Sequence, residues 1–344
     1  MKFLVVGLGS MGKRRVRNLQ FLKEGEISGF DPREDRRSEA SAKYGIPTFS
    51  DFDQAMASDP DALIISTPPD LHARYAMTAV KNNKHFFTEI SIIDDGMDEL
   101  IAACSKKDLV AAPSCTLRFH HSVRLIKDLI QDGAIGRILA YTYHSGQYLP
   151  DWHPWEDYRS FYVANRQTGA CREIVSYELC WLVWAIGDVE AVKCFKGKMT
   201  SLAIDIDDVY QMLLRHRQGT LGHIQVDVVA RVPYRIGRFL SERGVIEWNW
   251  ADHRVRVFDA LSGKWTEYEE PKGTVEEGYR AAEDMYRDEM RAFVAAIQGE
   301  QPWGYTLTDD KNIFSLLQTA ESNSDQTLHG NGQDSEAILA KVDG

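Results

Sequence analysis

Over roughly the first third of the chain, short apolar runs alternate with stretches of helical spacing. The runs are Phe3 to Val6, Glu26 to Phe30, Ala62 to Ser66, His85 to Thr88 and Leu109 to Ala112, and between them apolar residues recur as in Val16, Leu19 and Leu22. Strands alternating with helices predict an α/β unit, a parallel sheet covered on both faces. After Arg118 the rhythm changes. A helix is expected over Ser122 to Gln131, a long strand over Arg137 to Ser145, and a strongly apolar helix over Glu173 to Ile186. Strand and turn patterns then follow at Val209 to His216, Thr220 to Val229, Arg235 to Ser241, Gly244 to Trp250 and Arg254 to Phe258. That succession predicts a broad antiparallel sheet in an α+β domain. A last helix is expected from about Val275 to Ile297, ahead of a polar tail. The predicted division is residues 1–118, 119–325 and a tail of 326–344.

Composition narrows the function classes. With 344 residues, 44% hydrophobic, the chain is long enough for two domains that each bury a core. Forty Lys and Arg against fifty-one Asp and Glu give a net charge of −11, which argues against a nucleic-acid or anionic-membrane partner but leaves room for a local phosphate pocket. The five cysteines show no CxxC spacing, so no metal and no disulfide framework is expected, and a reducing cytoplasm fits. The longest apolar stretch, Leu179 to Ile186, is well short of the roughly 20 residues that span a bilayer. The opening apolar run reads as a buried strand rather than a leader, since Lys13, Arg14 and Arg15 arrive before any small-residue cleavage site.

Gly7-Leu8-Gly9-Ser10-Met11-Gly12 follows the first strand directly and opens a helix, the context that gives a GxGxxG pattern meaning. Gly7 permits the turn, Gly9 leaves room for a pyrophosphate, and Gly12 lets the helix pack closely. A dinucleotide cofactor is therefore expected on this loop, Ser10 and Met11 included. Asp31 ends the second strand, where a carboxylate bonds a ribose 2′-hydroxyl, favouring NAD. Arg33, Arg36 and Arg37 follow, so NADP stays open. Thr67, Pro68 and His72, in Ser66-Thr67-Pro68-Pro69-Asp70-Leu71-His72, end another strand beside the same crevice, and Glu89 ends a third. His72 reads more as a structural hydrogen-bonder than as a catalyst.

Together with KHFFTE, RFHHSVRLIKDLIQDGAIGRI and DMYRDEMRAFVAAIQG, these segments resemble the glucose-fructose oxidoreductase and inositol dehydrogenase family, Gfo/Idh/MocA, over nearly the whole chain. The resemblance implies an N-terminal Rossmann domain and a C-terminal domain with a large open-faced antiparallel sheet. It also implies NAD or NADP, a sugar, polyol or nucleotide-sugar substrate oxidised or reduced at a hydroxyl or keto group, and a homodimer or homotetramer formed through the sheet. Three polar chemistry positions depart from the family pattern. Glu89-Ile90-Ser91 stands where the family has Glu-Lys-Pro, and Glu173 and Tyr177 stand where it has Asp and His four residues apart.

Ile90 moves no proton, so another group must take that role, and a spacing of four puts Glu173 and Tyr177 on one helical face. Tyr177 is the first candidate base, its phenol lowered by Arg118 or Arg172, both also expected to bind substrate. His120, His121 and His153 compete with it. The stretch from Gly146 to Tyr162 is crowded with aromatics, and Trp152 and Trp155 with Asp151, His153, Glu156 and Arg159 suit a polyhydroxylated ligand. Bracing of the two domains, or an oligomer contact, is the competing reading of that loop. A family member that keeps the cofactor and has lost the chemistry is the alternative function.

Overall fold

The computed structural model describes residues 1–94, 96–152, 156–276 and 282–324. The N-terminal unit runs β1 (Lys2–Val6), α1 (Ser10–Leu22), β2 (Glu26–Phe30), α2 (Glu34–Tyr44), β3 (Thr48–Phe49), α3 (Phe52–Ala57), β4 (Ala62–Ile65), α4 (His72–Lys81), β5 (His85–Thr88), α5 (Met97–Cys104) and β6 (Ala111–Pro113). Its six strands are parallel in the order β3-β2-β1-β4-β5-β6. The chain moves outward in both directions from β1, so the crevice where an open α/β sheet binds ligands lies at the carboxyl ends of β1 and β4.

The second unit begins with α6 (His121–Gln131), β7 (Ile138–Tyr148) and α7 (Ala170–Ile186), then β8 (Val189–Gly197), β9 (Val209–His216), β10 (Leu221–Asp227), β11 (Val229–Ser241), β12 (Gly244–Asn249), β13 (Arg254–Asp259) and β14 (Lys264–Glu269). These eight strands form one sheet, β14-β13-β12-β11-β7-β10-β9-β8, antiparallel except where β10 runs parallel to β7. Helix α7 is apolar nearly all round because it is covered nearly all round. Trp181, Leu179 and Val175 pack with Tyr141, Tyr143, Phe239 and Trp248 of the sheet. The opposite face carries Phe195, Leu213, Leu221, Ile236 and Leu240, all exposed.

The chain closes with α8 (Asp284–Ile297) and α9 (Leu307–Ser322). The long helix expected from Val275 begins only at Asp284; residues 271–276 are irregular, with Pro271 and Gly273 opposing a helix there, and 277–281 lie outside the described residues. One helix from beyond residue 118 packs into the first unit. Met290, Phe293 and Val294 of α8 join Phe3, Val5 and Val16 in the N-terminal core, so the first unit is completed by a helix from the far end of the chain.

Candidate active site

The glycine loop has the geometry a dinucleotide needs. Gly7 sits at φ +90°, and a Cβ there would lie 2.7 Å from the Ser66 carbonyl oxygen. A Cβ at Gly12 would lie 1.8 Å from the Gly7 carbonyl oxygen, so only glycine lets α1 start this close to the loop. Gly9 differs. Its missing Cβ faces no backbone, only the Arg36 guanidinium, with Nη1 3.4 Å away. A flexible cation rather than backbone therefore covers the first turn of α1, where a pyrophosphate would approach the helix N–H groups. Asp31 joins the loop to β2: its Oδ2 accepts the Leu8 N–H at 2.8 Å and its Oδ1 the Arg33 N–H at 2.9 Å. Each carboxylate oxygen keeps a second acceptor site for a ribose hydroxyl.

Beyond β4, the His72 Nε2 lies 2.9 Å from the Thr67 carbonyl oxygen and fixes the turn that holds Pro68. Burial lowers the His72 pKa, so the ring stays neutral. The Thr67 hydroxyl is buried with no hydrogen-bond partner among the described residues, an orphan at the place where a cofactor would supply one. A Gly9 cradle covered only by the flexible Arg36 side chain, a ribose-competent Asp31 and an orphan Thr67 hydroxyl fit a nicotinamide dinucleotide.

Sequence reading missed the residue that organises the crevice. Arg15 of α1 is fully buried and bonds Glu89 with two nitrogens, Nε and Nη2, each at 2.8 Å, and Glu289 of α8 through Nη1 at 2.8 Å. Burial alone would lower the Arg15 pKa, but the two carboxylates outweigh it and raise it. Glu289 also accepts from the Ser114 hydroxyl, the Cys115 N–H and the Thr116 hydroxyl, and the Ser66 hydroxyl donates to Glu89 at 3.1 Å. A signal existed: Arg15 stands four residues before Leu19 and seven before Leu22, on the inward stripe of α1.

Glu173, in the first turn of α7, accepts the Tyr162 hydroxyl at 3.0 Å. Burial pushes the Glu173 carboxyl up to about 7; the Tyr162 bond opposes that shift and the nearby Glu89 charge adds to it. Glu89, Tyr162 and Glu173 thus form one cluster at the carboxyl end of the parallel sheet. Tyr177, one turn further along α7, is held well above the usual phenol range by burial and by Tyr286 beside it, with Arg235 opposing.

Several expectations fail on geometry. Arg118 and Arg172 do not serve Tyr177. Arg118 donates to the Cys180 carbonyl and lies over the Tyr305 ring, while Arg172 pairs with Glu321 and donates to the Ile92 and Gln167 carbonyls. These bonds brace the fold rather than leave two cations for substrate. His120 is buried against Trp248 and Trp250 with Nε2 3.2 Å from Glu270, and His121 is exposed at the start of α6, so neither joins the Glu89 and Glu173 cluster. Ile90 is buried in the apolar core of the second unit. Of the aromatic loop, Trp152 packs on that core with its indole N–H unpartnered among the described residues, and Tyr158 and Phe161 pack there too. His153 and Trp155 lie outside the described residues. Glu156, expected at a sugar, faces Arg33 and Arg36 instead.

Residues 1–113 match the oxidoreductase family with an NAD-binding Rossmann fold, and residues 123–258 match the C-terminal domain of the same GFO/IDH/MocA group. Myo-inositol 2-dehydrogenase of Thermotoga maritima is 23% identical over 338 residues, covering 95% of this chain and 97% of that protein. Among solved structures, levoglucosan dehydrogenase in complex with NADH superposes with a TM-score of 0.82 at 19% identity, covering 94% of this chain and 96% of the other. The WlbA dehydrogenase of Bordetella pertussis, in complex with NADH and UDP-GlcNAcA, gives 0.74 at 20% identity, covering 94% and 96%.

Proposed function

Because the chain belongs to the GFO/IDH/MocA oxidoreductase family, we propose that it is an NAD-dependent dehydrogenase or reductase acting on a hydroxyl or keto group of a sugar, polyol or nucleotide sugar, with Glu173 as its acid–base group. The observation that carries this reading is the Glu173 carboxyl with a pKa of about 7, bonded by Tyr162 and set beside Glu89 at the mouth of the crevice. A group poised near neutrality accepts a hydroxyl proton and returns it with little loss in either direction. NAD, when bound, supplies the hydride acceptor. Gly7, Gly9, Ser10, Met11 and Gly12 would hold its pyrophosphate, Asp31 its adenosine ribose, and Thr67 and Pro68 would line its path.

In the oxidative direction the Glu173 carboxylate would take the proton of the substrate hydroxyl and end protonated. Glu89 is fixed in place by the two Arg15 nitrogens and would lie beside the substrate hydroxyls. Tyr162 orients Glu173, and the Trp152 indole N–H, unpartnered among the described residues, would donate to a substrate oxygen. The names of the relatives, dehydrogenases of myo-inositol and levoglucosan, agree with a polyhydroxylated substrate.

The test is nicotinamide absorbance on purified protein with NAD and a panel of polyols, sugars and nucleotide sugars. Turnover of at least one, lost in Gly9→Val together with NAD binding, is the expected result; no NAD binding by the wild type would overturn the reading. Self-association through the open sheet face, as a homodimer or homotetramer, belongs to the same proposal, supported by exposed Phe195, Leu213 and Leu221 there. Leu213→Asp should lower the sedimenting mass. A cytoplasmic setting is proposed from the five free thiols, and no described helix is long and apolar enough to cross a membrane.

A further inference from the structure

Two arginines of the N-terminal unit and one carboxylate of the other meet above the glycine loop, and we infer that Glu156 sets a preference for the 2′-hydroxyl dinucleotide over its 2′-phosphate form. This inference rests on the NAD-dependent reading above and adds a determinant supplied from outside the Rossmann domain.

The geometry is as follows. Arg36 lies over Gly9, with Nη1 3.7 Å from the Asp31 Oδ2 on one side and Nη2 3.5 Å from the Glu156 Oε1 on the other. Arg33 pairs with Asp35 at 2.6 Å and reaches the same Glu156 oxygen at 3.6 Å. Arg37 is turned away, donating to the Asp31 and Pro32 carbonyls. Three carboxylates therefore face these two guanidinium groups. Arginines following an acidic residue at the end of the second strand ordinarily offer a 2′-phosphate its counter-charge. Here Glu156 has taken one side of each.

A ribose 2′-hydroxyl needs no cation, since it donates to Asp31. A 2′-phosphate brings close to two negative charges and must displace Glu156 from both arginines before they can bond it. Because Arg36 and Glu156 are each only a quarter exposed, solvent screens this competition incompletely. The remainder of the basic run offers no substitute: Lys13 pairs with Glu39, Arg15 with Glu89 and Glu289, and Arg14 and Arg17 with Glu283.

The experiment measures dissociation constants of NAD+ and NADP+ for the full chain by calorimetry. Glu156→Gln keeps the side-chain shape and removes the charge, so the ratio of the NADP+ to the NAD+ constant should fall about tenfold or more, the size of one to two charge-assisted hydrogen bonds gained. Adding Arg36→Gln to that variant should reverse most of the gain. Raising salt should shrink the wild-type preference, as a charge effect requires. An unchanged ratio in Glu156→Gln, or a gain that survives the loss of Arg36, would overturn the inference while leaving NAD dependence intact. A wild type that binds neither dinucleotide would overturn both.

Discussion

Glu89 and Glu173 stand close enough to feel each other's charge, yet the fold surrounds them oppositely. Glu89, at the end of β5, receives two nitrogens of a buried guanidinium and the Ser66 hydroxyl. Glu173, at the start of α7, receives a phenol and is pushed up to about 7 by burial. On the proposed reading, carboxylates treated so differently have different parts, one tied to a guanidinium and the other exchanging a proton near neutrality. The family resemblance implies a lysine and a histidine at this place, where this sequence has Ile90 and Tyr177. On the proposed reading the proton-handling group sits one turn earlier on the same helix, where burial raises its pKa.

The comparison breaks first at Glu173. Glu173→Gln keeps the Tyr162 contact but removes the proton acceptor, and turnover should fall by about two to four orders of magnitude. In the wild type, kcat/KM for alcohol oxidation should rise with pH through about 7 as Glu173 ionises, and the variant should lose that limb. If the limb survives, the proton goes elsewhere.

Arg15 is the second point of attack. Arg15→Met leaves Glu89 and the fully buried Glu289 near each other with no counter-charge, a change that typically costs about 3–5 kcal/mol. Denaturant melts of the two proteins measure it. Stability equal to the wild type would mean that the carboxylates take up protons without penalty and that Arg15 is not what separates the two environments.

A smaller effect follows from linkage. The folded chain holds the Glu173 proton up to about pH 7, whereas the unfolded chain releases it near 4.5, so between these values the native state binds more protons. Glu173 therefore favours the fold below about pH 4.5, and that contribution is lost as pH rises through about 7. Glu173→Gln should be more stable than the wild type at pH 8, by on the order of 5 °C in Tm, and the gap should close towards pH 5. A gap that does not vary with pH would place the Glu173 pKa at its ordinary value.

How far the sequence disclosed these environments differs along the chain. The glycine loop, the five main parallel strands and α7 follow from local pattern, because spacing and glycine geometry are local causes. Strand β14 does not, since Lys264–Glu269 is exposed at every position and shows no alternation. Helix α9 carried a signal that was passed over, the capping box of Thr306 and Asp309. The pairing of Arg15 with Glu289 joins residues 274 apart and leaves no mark except an arginine on an apolar stripe. Arg172 misled for a simple reason. Adjacent to Glu173 in sequence, it points about 100° around the helix, towards Glu321 rather than the crevice.

Tyr177 gives the smallest predicted effect and sharpens the comparison most directly. By position it replaces the family's histidine, and if position decided the chemistry it would be the base. Its surroundings argue otherwise: burial and Tyr286 hold its hydroxyl well above the usual phenol range, and Arg235, the one cation that opposes this, is itself bonded to Glu178 with two nitrogens. A phenol so placed keeps its proton at neutral pH and is no proton acceptor there. Tyr177→Phe retains the ring and its packing, so turnover should fall by less than about tenfold, below the range of a lost acid–base group, with Tm nearly unchanged. The pH profile should keep its limb near 7, because Glu173 is untouched. If Tyr177→Phe instead cost as much as Glu173→Gln, the two residues would share one proton path along α7, and the division of labour would lie between the helix and β5 rather than between two carboxylates.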